Sequence, residues 1–316
     1  MILAIDVGGT KMAAGLVAGD GTVTLSARVP TPQGADASTL WKTLAELIEP
    51  FSAGVEGVGV GCGGPMTWPD GEVSPLNMPG WRGFPLRARL AERFPGLPVR
   101  LHNDAICLAV AEHWKGAGQG SADMLGMVVS TGVGGGLILN GHLINGGTGN
   151  AGHIGHVVVE PEGGPRCGCG GHGCLEAVAR GPALTAWAQE QGWAPRSPES
   201  GAYDEDRAVT ARALAADARV GDPVAVRAMR RAGRALGIAI ASATHLCDLD
   251  LVTIGGGLSQ AGEPLFGPLE EALREHARVE FARRVKVMPA SLGQEAGLIG
   301  AAALLLAGDS YWVERR

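Results

Sequence analysis

The sequence carries no excess of basic residues. Its 316 positions hold 26 Lys and Arg against 32 Asp and Glu, a formal net charge of −6. A chain without a basic footprint is poorly matched to a polyanion, which argues against nucleic acid as a partner. No apolar run comes near the ~20 residues that span a bilayer, so no membrane-spanning helix is expected. The N-terminus lacks a basic flank and sets Asp6 inside its first apolar stretch, unlike the core of a secretory signal. The expectation is a cytoplasmic protein whose six cysteines stay reduced and free to bind metal. What the chain has instead is glycine, 51 residues of it, which points to tight turns and to binding loops lined by backbone. With 46% hydrophobic and 18% charged residues, the composition is that of a globular protein, large enough for one large or two medium domains with a proper core.

Polar chemistry is densest from His153 to Glu176, HIGHVVVEPEGGPRCGCGGHGCLE. Cys167, Cys169 and Cys174 form a Cys-x-Cys-x4-Cys pattern, and His156 lies upstream beside an apolar run, Val157 to Val159, that reads as a strand. Three thiolates and one imidazole make a tetrahedral zinc set with no obvious open position, which favours a structural metal over a catalytic one. Gly168, Gly170, Gly171 and Gly173 let the backbone curl so that sulfurs close in sequence can face one centre. The alternatives are reduced loop thiols, or a disulfide in an exported protein, although two cysteines one residue apart rarely meet disulfide geometry. Cys62, Cys107 and Cys247 lie in apolar contexts and read as ordinary buried thiols.

Along the chain, strands alternate with glycine loops and helices. ILAID, VGGTK and MAAGLVAG read as strand, turn and strand. The turn can offer backbone amides and a hydroxyl to a phosphate, with Lys11 alongside and Asp6 placed for a metal-bound water. It is neither a Walker A loop nor a dinucleotide fingerprint, and taken alone it is equally a plain hairpin turn. A third strand follows at Val23 to Val29, then a helix from Ser38 to Leu47 with Ser38 as its N-cap and Leu40, Leu44 and Leu47 as its apolar stripe. Val55 to Val60 reads as a strand ending in the GCGGP loop that contains Gly64, and Asn77 sits in a Pro/Gly-punctuated loop, where an asparagine either recognises a hydroxyl pair or simply turns the chain. Val99 to His102 is a strand leading into Asn103, Asp104 and a helix, so that Asp104 either caps the helix or acts on a substrate. Met124 to Val129 is a strand broken by STGVGGG and resumed by LILNG, a second strand–loop–strand copy that suggests duplication. Residues 187–208 read as a polar surface loop. Asp222-Pro223 opens a long helix with Val226, Met229, Leu236 and Ile240 toward the core and Arg227, Arg230, Arg231 and Arg234 on a solvated face. A strand from Leu249 to Ile254 runs into a third glycine loop, GGGLS, before a last strand, an EAGLIGAAAL helix and a short tail.

DVGGTK, the Asn103-Asp104-Ala105 junction, STGVGGG, GHIGH, CGCGGHGCLE and VTIGGGLS resemble, in order and rough spacing, the motifs of the ROK family of repressors and sugar kinases, within the actin and hexokinase superfamily. The resemblance implies two RNase H-like α/β domains around a central cleft. The first would comprise residues 1–105 joined by a C-terminal helix at about 295–312, and the second residues 106–294 with a structural zinc loop. It further implies ATP, Mg²⁺ and structural Zn²⁺ as cofactors, a sugar substrate and a homodimer. It makes Gly8, Gly9, Thr10 and Lys11, with Asp6, the first phosphate loop, Thr131 and Gly132 the second, and Gly255, Gly256 and Gly257 part of the adenosine site. Asp104 becomes the catalytic base, and Gly64, Asn77, Asn103, His156 and Glu176 join it as sugar contacts. His156 serves zinc as well, with Cys167, Cys169 and Cys174. One position departs from the pattern. Most sugar kinases of the family resemble AGEIGH, whereas this chain reads AGHIGH, with His153 in place of glutamate, as in the bacterial N-acetylmannosamine kinases it resembles. A neutral imidazole donates or accepts where a carboxylate only accepts, which tilts the expected substrate from glucose toward an N-acylated hexose. A repressor of the family would carry a DNA-binding segment ahead of the kinase-like core, and none is expected here because the first strand begins at residue 2.

Overall fold

Central strands with both faces buried dominate the chain, and they sort into two five-stranded sheets. The computed structural model describes residues 1–196 and 210–311. It comprises two units: Met1–Gly126, Gly136–Gly152 and Ala290–Arg316 form the first, and Met127–Gly135 with His153–Pro289 the second. In chain order the elements are β1 (Ile2–Val7), β2 (Lys11–Val17), β3 (Val23–Pro30), α1 (Ala37–Ile48), β4 (Gly57–Cys62), β5 (Met66–Thr67), β6 (Glu72–Val73) and α2 (Leu86–Arg93). There follow β7 (Val99–Asn103), α3 (Asp104–Lys115), β8 (Met124–Val129), β9 (Val133–Leu139), β10 (His142–Leu143), α4 (Leu175–Ala179), α5 (Gly181–Glu190) and α6 (Ala211–Arg219). The remainder are α7 (Pro223–Cys247), β11 (Leu251–Gly255), α8 (Glu263–His276), β12 (Lys286–Pro289), α9 (Ala296–Leu306) and α10 (Gly308–Tyr311).

The first sheet has the order β3-β2-β1-β4-β7. β1 pairs antiparallel with β2 and parallel with β4, and β4 pairs parallel with β7. Period-two alternation divides β1 between two cores. Leu3, Ile5 and Val7 pack with Leu40 and Leu44 of α1, whereas Ile2 and Ala4 pack with Leu298, Ala301 and Ala302 of α9. α9, AGLIGAAALLL, is apolar around most of its circumference and is correspondingly buried, as a helix without a polar face must be. The second sheet has the order β10-β9-β8-β11-β12. Numbered within each set, both sheets read third, second, first, fourth, fifth, which matches the duplication suggested by the two strand–loop–strand copies.

Several local expectations are corrected. α1 is capped by Asp36, whose carboxylate accepts the Thr39 amide at 2.8 Å, and not by Ser38. The glycines after Gly132 are strand residues of β9 rather than loop. Val157 to Val159 is no regular strand: His156 closes a 3-10 turn from Ile154, and Val158 forms only an isolated bridge to Cys174. On α7, Met229, Leu236 and Ile240 are buried, but Val226 is 40% exposed. Arg230 with Glu271 and Arg234 with Glu275 pair outward as a solvated face would, whereas Arg231 is half-buried and pairs with the half-buried Glu160. The polar stretch from 187 begins inside α5, and the rest of that expected loop, from residue 197, lies outside the described residues. Of the three dispersed cysteines, Cys62 and Cys107 are buried and Cys247 is half-buried. α2 and α8 escaped the pattern reading for physical reasons: α2 buries only Leu86 and Leu90, and α8 carries Gly267 and Pro268 in its interior. No described helix is long and apolar enough to cross a membrane.

Candidate functional site

Strand register assembles the polar corner of the first unit. Asp6 of β1 pairs with Gly61 of β4, and Gly61 with His102 of β7; the next residues, Val7, Cys62 and Asn103, pair in the same way. These strand ends bring the turn after β1, the turn after β4 and the start of α3 to one edge of the sheet, the carboxyl edge where open α/β sheets bind ligands. Asn103 is the residue that caps α3, its Oδ1 accepting the Ala105 amide at 3.0 Å and the Ile106 amide at 3.4 Å. Asp104 is therefore the first helical residue, with Oδ1 2.8 Å from the Ala105 amide. A Cβ at Gly63 would stand 3.9 Å from the other carboxylate oxygen, Oδ2.

Asp6 and Asp104 are both half-buried. Burial raises the Asp104 carboxyl above its ordinary value, against the lowering pull of the Ala105 amide. Burial, and then the Asp104 charge, push Asp6 up to about 7, with Lys11 and Arg28 pulling the other way. Asp6 also faces the first turn of α9, where a Cβ on Gly297 would come within 2.5 Å of its Oδ2; glycine is what admits the carboxylate. Two carboxylates with raised proton affinity are an undercompensated negative charge, and the Mg²⁺ expected alongside ATP fits that charge.

The first glycine turn is held mainly by its carbonyls. Thr31 Oγ1 donates to Gly8 O at 2.7 Å, Gln33 Nε2 to Gly9 O at 2.8 Å and the Thr31 amide to Thr10 O at 3.0 Å. The Gly8 amide closes the turn on Lys11 O at 3.0 Å. None of these bonds uses the Gly9 or Thr10 amides. Asn77 packs on this turn, since a Cβ at Gly9 would lie 2.6 Å from Asn77 Cβ. Gly64 joins the same neighbourhood through its carbonyl, which accepts the Leu76 amide at 3.3 Å.

In the second unit, the turn from Ser130 to Gly132 is closed by the Ser130 amide on Gly132 O at 2.9 Å and tied to the start of α5 by the Gly181 amide on Ser130 O at 2.8 Å. Glu176, on the short α4, accepts the Val133 amide at 2.9 Å, and a Cβ at Gly132 would stand 2.8 Å from the same oxygen. Thr131 and Gly132 thus lie beside Glu176. Gly256, at φ +92, packs on the end of β8, where a Cβ would be 2.3 Å from Val129 O. The third glycine loop, Gly255 to Gly257, is thereby brought next to the second.

The donor atoms of His156, Cys167, Cys169 and Cys174 all lie within 4.8 Å of one another. Cys167 Sγ is 3.7 Å from His156 Nδ1, and Cys169 Sγ is 3.8 Å from Cys174 Sγ. Zinc–sulfur bonds of ~2.3 Å at a tetrahedral centre separate two sulfurs by about 3.8 Å, so the set fits zinc. Charge makes the same point: burial, followed by the neighbouring sulfurs, pushes the Cys174 thiol up to about 12, a penalty that a bound dication reverses. Backbone hydrogen bonds hold the loop, with the Cys167 amide on Gly171 O at 2.8 Å and the Leu175 amide on Val157 O at 2.8 Å. Nδ1 is the His156 ring nitrogen that faces Cys167 Sγ. The rings of His153 and His156 stack with centroids 6.4 Å apart.

Three residues of the first unit's corner were passed over in the sequence: Gly297, His102 and Asn145. The histidine did carry a signal, a polar side chain in the apolar strand directly before Asn103.

Two five-stranded sheets of the same order, each with a glycine turn after its first strand, define the sugar-kinase fold of the actin and hexokinase type. The ROK family model matches residues 2–307, and the chain belongs to the ROK family. It is 36% identical over 311 residues to a glucokinase of Thermotoga maritima, covering 96% of each chain. It is 36% identical over 306 residues to an N-acetylmannosamine kinase of Shigella flexneri, covering 96% of this chain and 97% of the relative. The crystal structure of a ROK family glucokinase from Streptomyces griseus in complex with glucose and AMPPNP superposes with a TM-score of 0.81 at 34% identity, covering 96% of this chain and 98% of that one.

Proposed function

We propose that this protein is an ATP-dependent sugar kinase that phosphorylates the 6-hydroxyl of a hexose or N-acetylhexosamine, with N-acetylmannosamine as the favoured acceptor. The observation that carries the reading is Asp104: a half-buried carboxylate at the first turn of α3, raised by burial, with Asn103 taking the capping role that would otherwise explain it. Asp104 accepts the 6-hydroxyl hydrogen bond and takes the proton as the sugar oxygen bonds to the γ-phosphorus and the bond to the β-phosphate oxygen breaks. A carboxylate suffices because the alcohol acidifies only as phosphorus engages it, and a raised proton affinity makes it the better base. The amides of the Gly8–Thr10 turn and of the Thr131–Gly132 turn receive the phosphates, with Lys11 beside the first, and Gly255 to Gly257 receive the adenosine. Asp6 would hold Mg²⁺, which would supply charge neutralisation for the transferring phosphoryl group. Gly64, Asn77 and the Nδ2 amide of Asn103 on the first unit, and His153, Nε2 of His156 and Glu176 on the second, hold the sugar. The zinc set fixes the loop that carries the latter three. Residues 1–105 with the C-terminal helix, and residues 106–294, act as the two domains of a homodimeric enzyme.

His153 supports the N-acetylated acceptor, since an imidazole can donate to an acyl oxygen where a carboxylate cannot. Glucose is the second reading, favoured by the equal identity to the Thermotoga maritima glucokinase and by the glucose in the Streptomyces griseus complex. ADP release measured over a hexose panel tests both. N-acetylmannosamine is expected to give the highest kcat/KM; preference for glucose reverses the assignment made on His153, and no turnover of any hexose removes the kinase reading.

A further inference from the structure

The strand end that presents Asp104 is braced by a histidine with no part in the proposed reaction. His102 is 0% exposed and engaged at both ring nitrogens: Nδ1 accepts the Asn103 amide at 2.9 Å, and Nε2 stands 2.8 Å from Oδ1 of Asn145. With Nδ1 an acceptor, the ring proton sits on Nε2 and is donated to Asn145. Asn145 lies at the start of a loop, residues 144–152, whose other end is clamped as firmly. The Ala151 amide donates to Asn145 O at 3.3 Å. Asn150 grips the backbone of Met66 from both sides, accepting its amide at 3.3 Å and donating to its carbonyl at 2.9 Å. The Trp68 amide donates to Thr148 O at 3.3 Å. One loop of the first unit is therefore fastened to the residue before Asn103-Asp104 and to the segment just beyond Gly64.

We propose that His102 and Asn145 are a positioning pair for the acceptor side of the site, setting the backbone of Asn103 and Asp104 relative to the loop 144–152. The pair presupposes the sugar-kinase reading and adds to it two residues that touch neither substrate. Removing the Asn145 acceptor takes the 2.8 Å partner from a buried ring nitrogen, a penalty that movement of the ring relieves. Any such movement releases the Asn103 amide and displaces the carboxylate that follows it, and small misplacements of a catalytic group are costly in rate. None of these hydrogen bonds involves the Gly8–Thr10 turn, so donor binding is spared.

The test compares Asn145→Leu, which removes the acceptor at similar volume, with Asn145→Asp, which keeps an oxygen there. Steady-state kinetics with N-acetylmannosamine or glucose and with ATP are read beside zinc content and melting temperature. Asn145→Leu is expected to lose roughly tenfold or more in kcat/KM for the sugar, with the KM for ATP within about twofold of wild type and zinc retained; Asn145→Asp is expected to recover most of the loss. The proposal is overturned if Asn145→Leu keeps its sugar kcat/KM, if sugar and ATP parameters decline equally, or if Asn145→Asp is as impaired as Asn145→Leu. Asp104→Asn and wild type serve as references: no turnover of any hexose by wild type removes the kinase reading, activity in Asp104→Asn removes only the assignment of the base, and an inactive Asp104→Asn beside a fully active Asn145→Leu removes only the positioning pair.

Discussion

The two units build their polar centres in opposite ways. In the first, Asp6, Asn77, Asp104 and Gly297 come from distant parts of the chain and meet because three parallel strand ends and the first turn of α9 converge. In the second, His156, Cys167, Cys169 and Cys174 lie in one glycine-rich stretch and need little beyond that loop to converge. The carboxylate corner holds like charges together against their repulsion, which only a packed scaffold can sustain. A thiol and imidazole set of this kind would draw its cohesion from a bound metal, in which case its folding and its metal affinity would be one quantity. The two glycine turns differ in the same sense. Side chains of Thr31 and Gln33 support the first through its carbonyls, whereas a carboxylate, Glu176, supports the second by accepting the amide that follows it.

If this contrast is sound, the first centre can lose its chemistry without losing its fold. Asp104→Asn should lower kcat by about 10²–10⁴-fold, with sugar KM and melting temperature near wild type; a variant that unfolds instead, or that stays active, breaks the contrast on the carboxylate side. The second centre should behave the other way. Cys174→Ser is expected to reduce zinc affinity by more than the roughly 10–100-fold typical of changes one shell further out, and to expose the loop from His153 to Glu176 to proteolysis. Cys247→Ser, a change at a thiol remote from the set, should alter neither, and unchanged zinc affinity in Cys174→Ser would remove that thiol from the metal set.

The smallest effect concerns pH. Asp6 binds its proton more tightly in the folded protein, at about 7 against an ordinary 3.8. Between those values the native state carries more protons than the unfolded one, so stability falls as pH rises through that window. Asp6→Asn should flatten this slope and raise the melting temperature by a few degrees at pH 8 in the absence of nucleotide and divalent cation; an unchanged slope in a thermal-melt series would show that the carboxylate is better compensated than its setting suggests. Activity should carry an acidic limb above the usual carboxylate range, because the raised Asp104 must be deprotonated to act as base.

Legibility followed the same division. The candidate zinc ligands could be read directly, since soft donors at short spacing among glycines have few other uses, and the structure brings those four side chains together. The strands were equally plain: β1, β4, β8 and β11 are short apolar runs that central sheet positions require. Helices with few apolar residues or internal breakers, α2 and α8, were missed because tertiary burial of a few leucines outweighs weak local propensity. The sequence alone does not separate cap from catalyst at Asp104, because both are polar roles at a strand-to-helix junction. The cap went to Asn103, whose Oδ1 reaches two amides.

By itself the sequence determined the family, the order of strands and glycine turns, and the donor set for a metal, because each depends on residues near one another in the chain or on hydrophobic period. Only the tertiary structure decided that Asp6 faces Gly297, that Asn77 lies on Gly9, that Glu176 takes the Val133 amide and that His102 links Asn103 to Asn145. Those contacts join residues far apart in the chain, and their strength comes from burial and register, which no local pattern of residue types encodes.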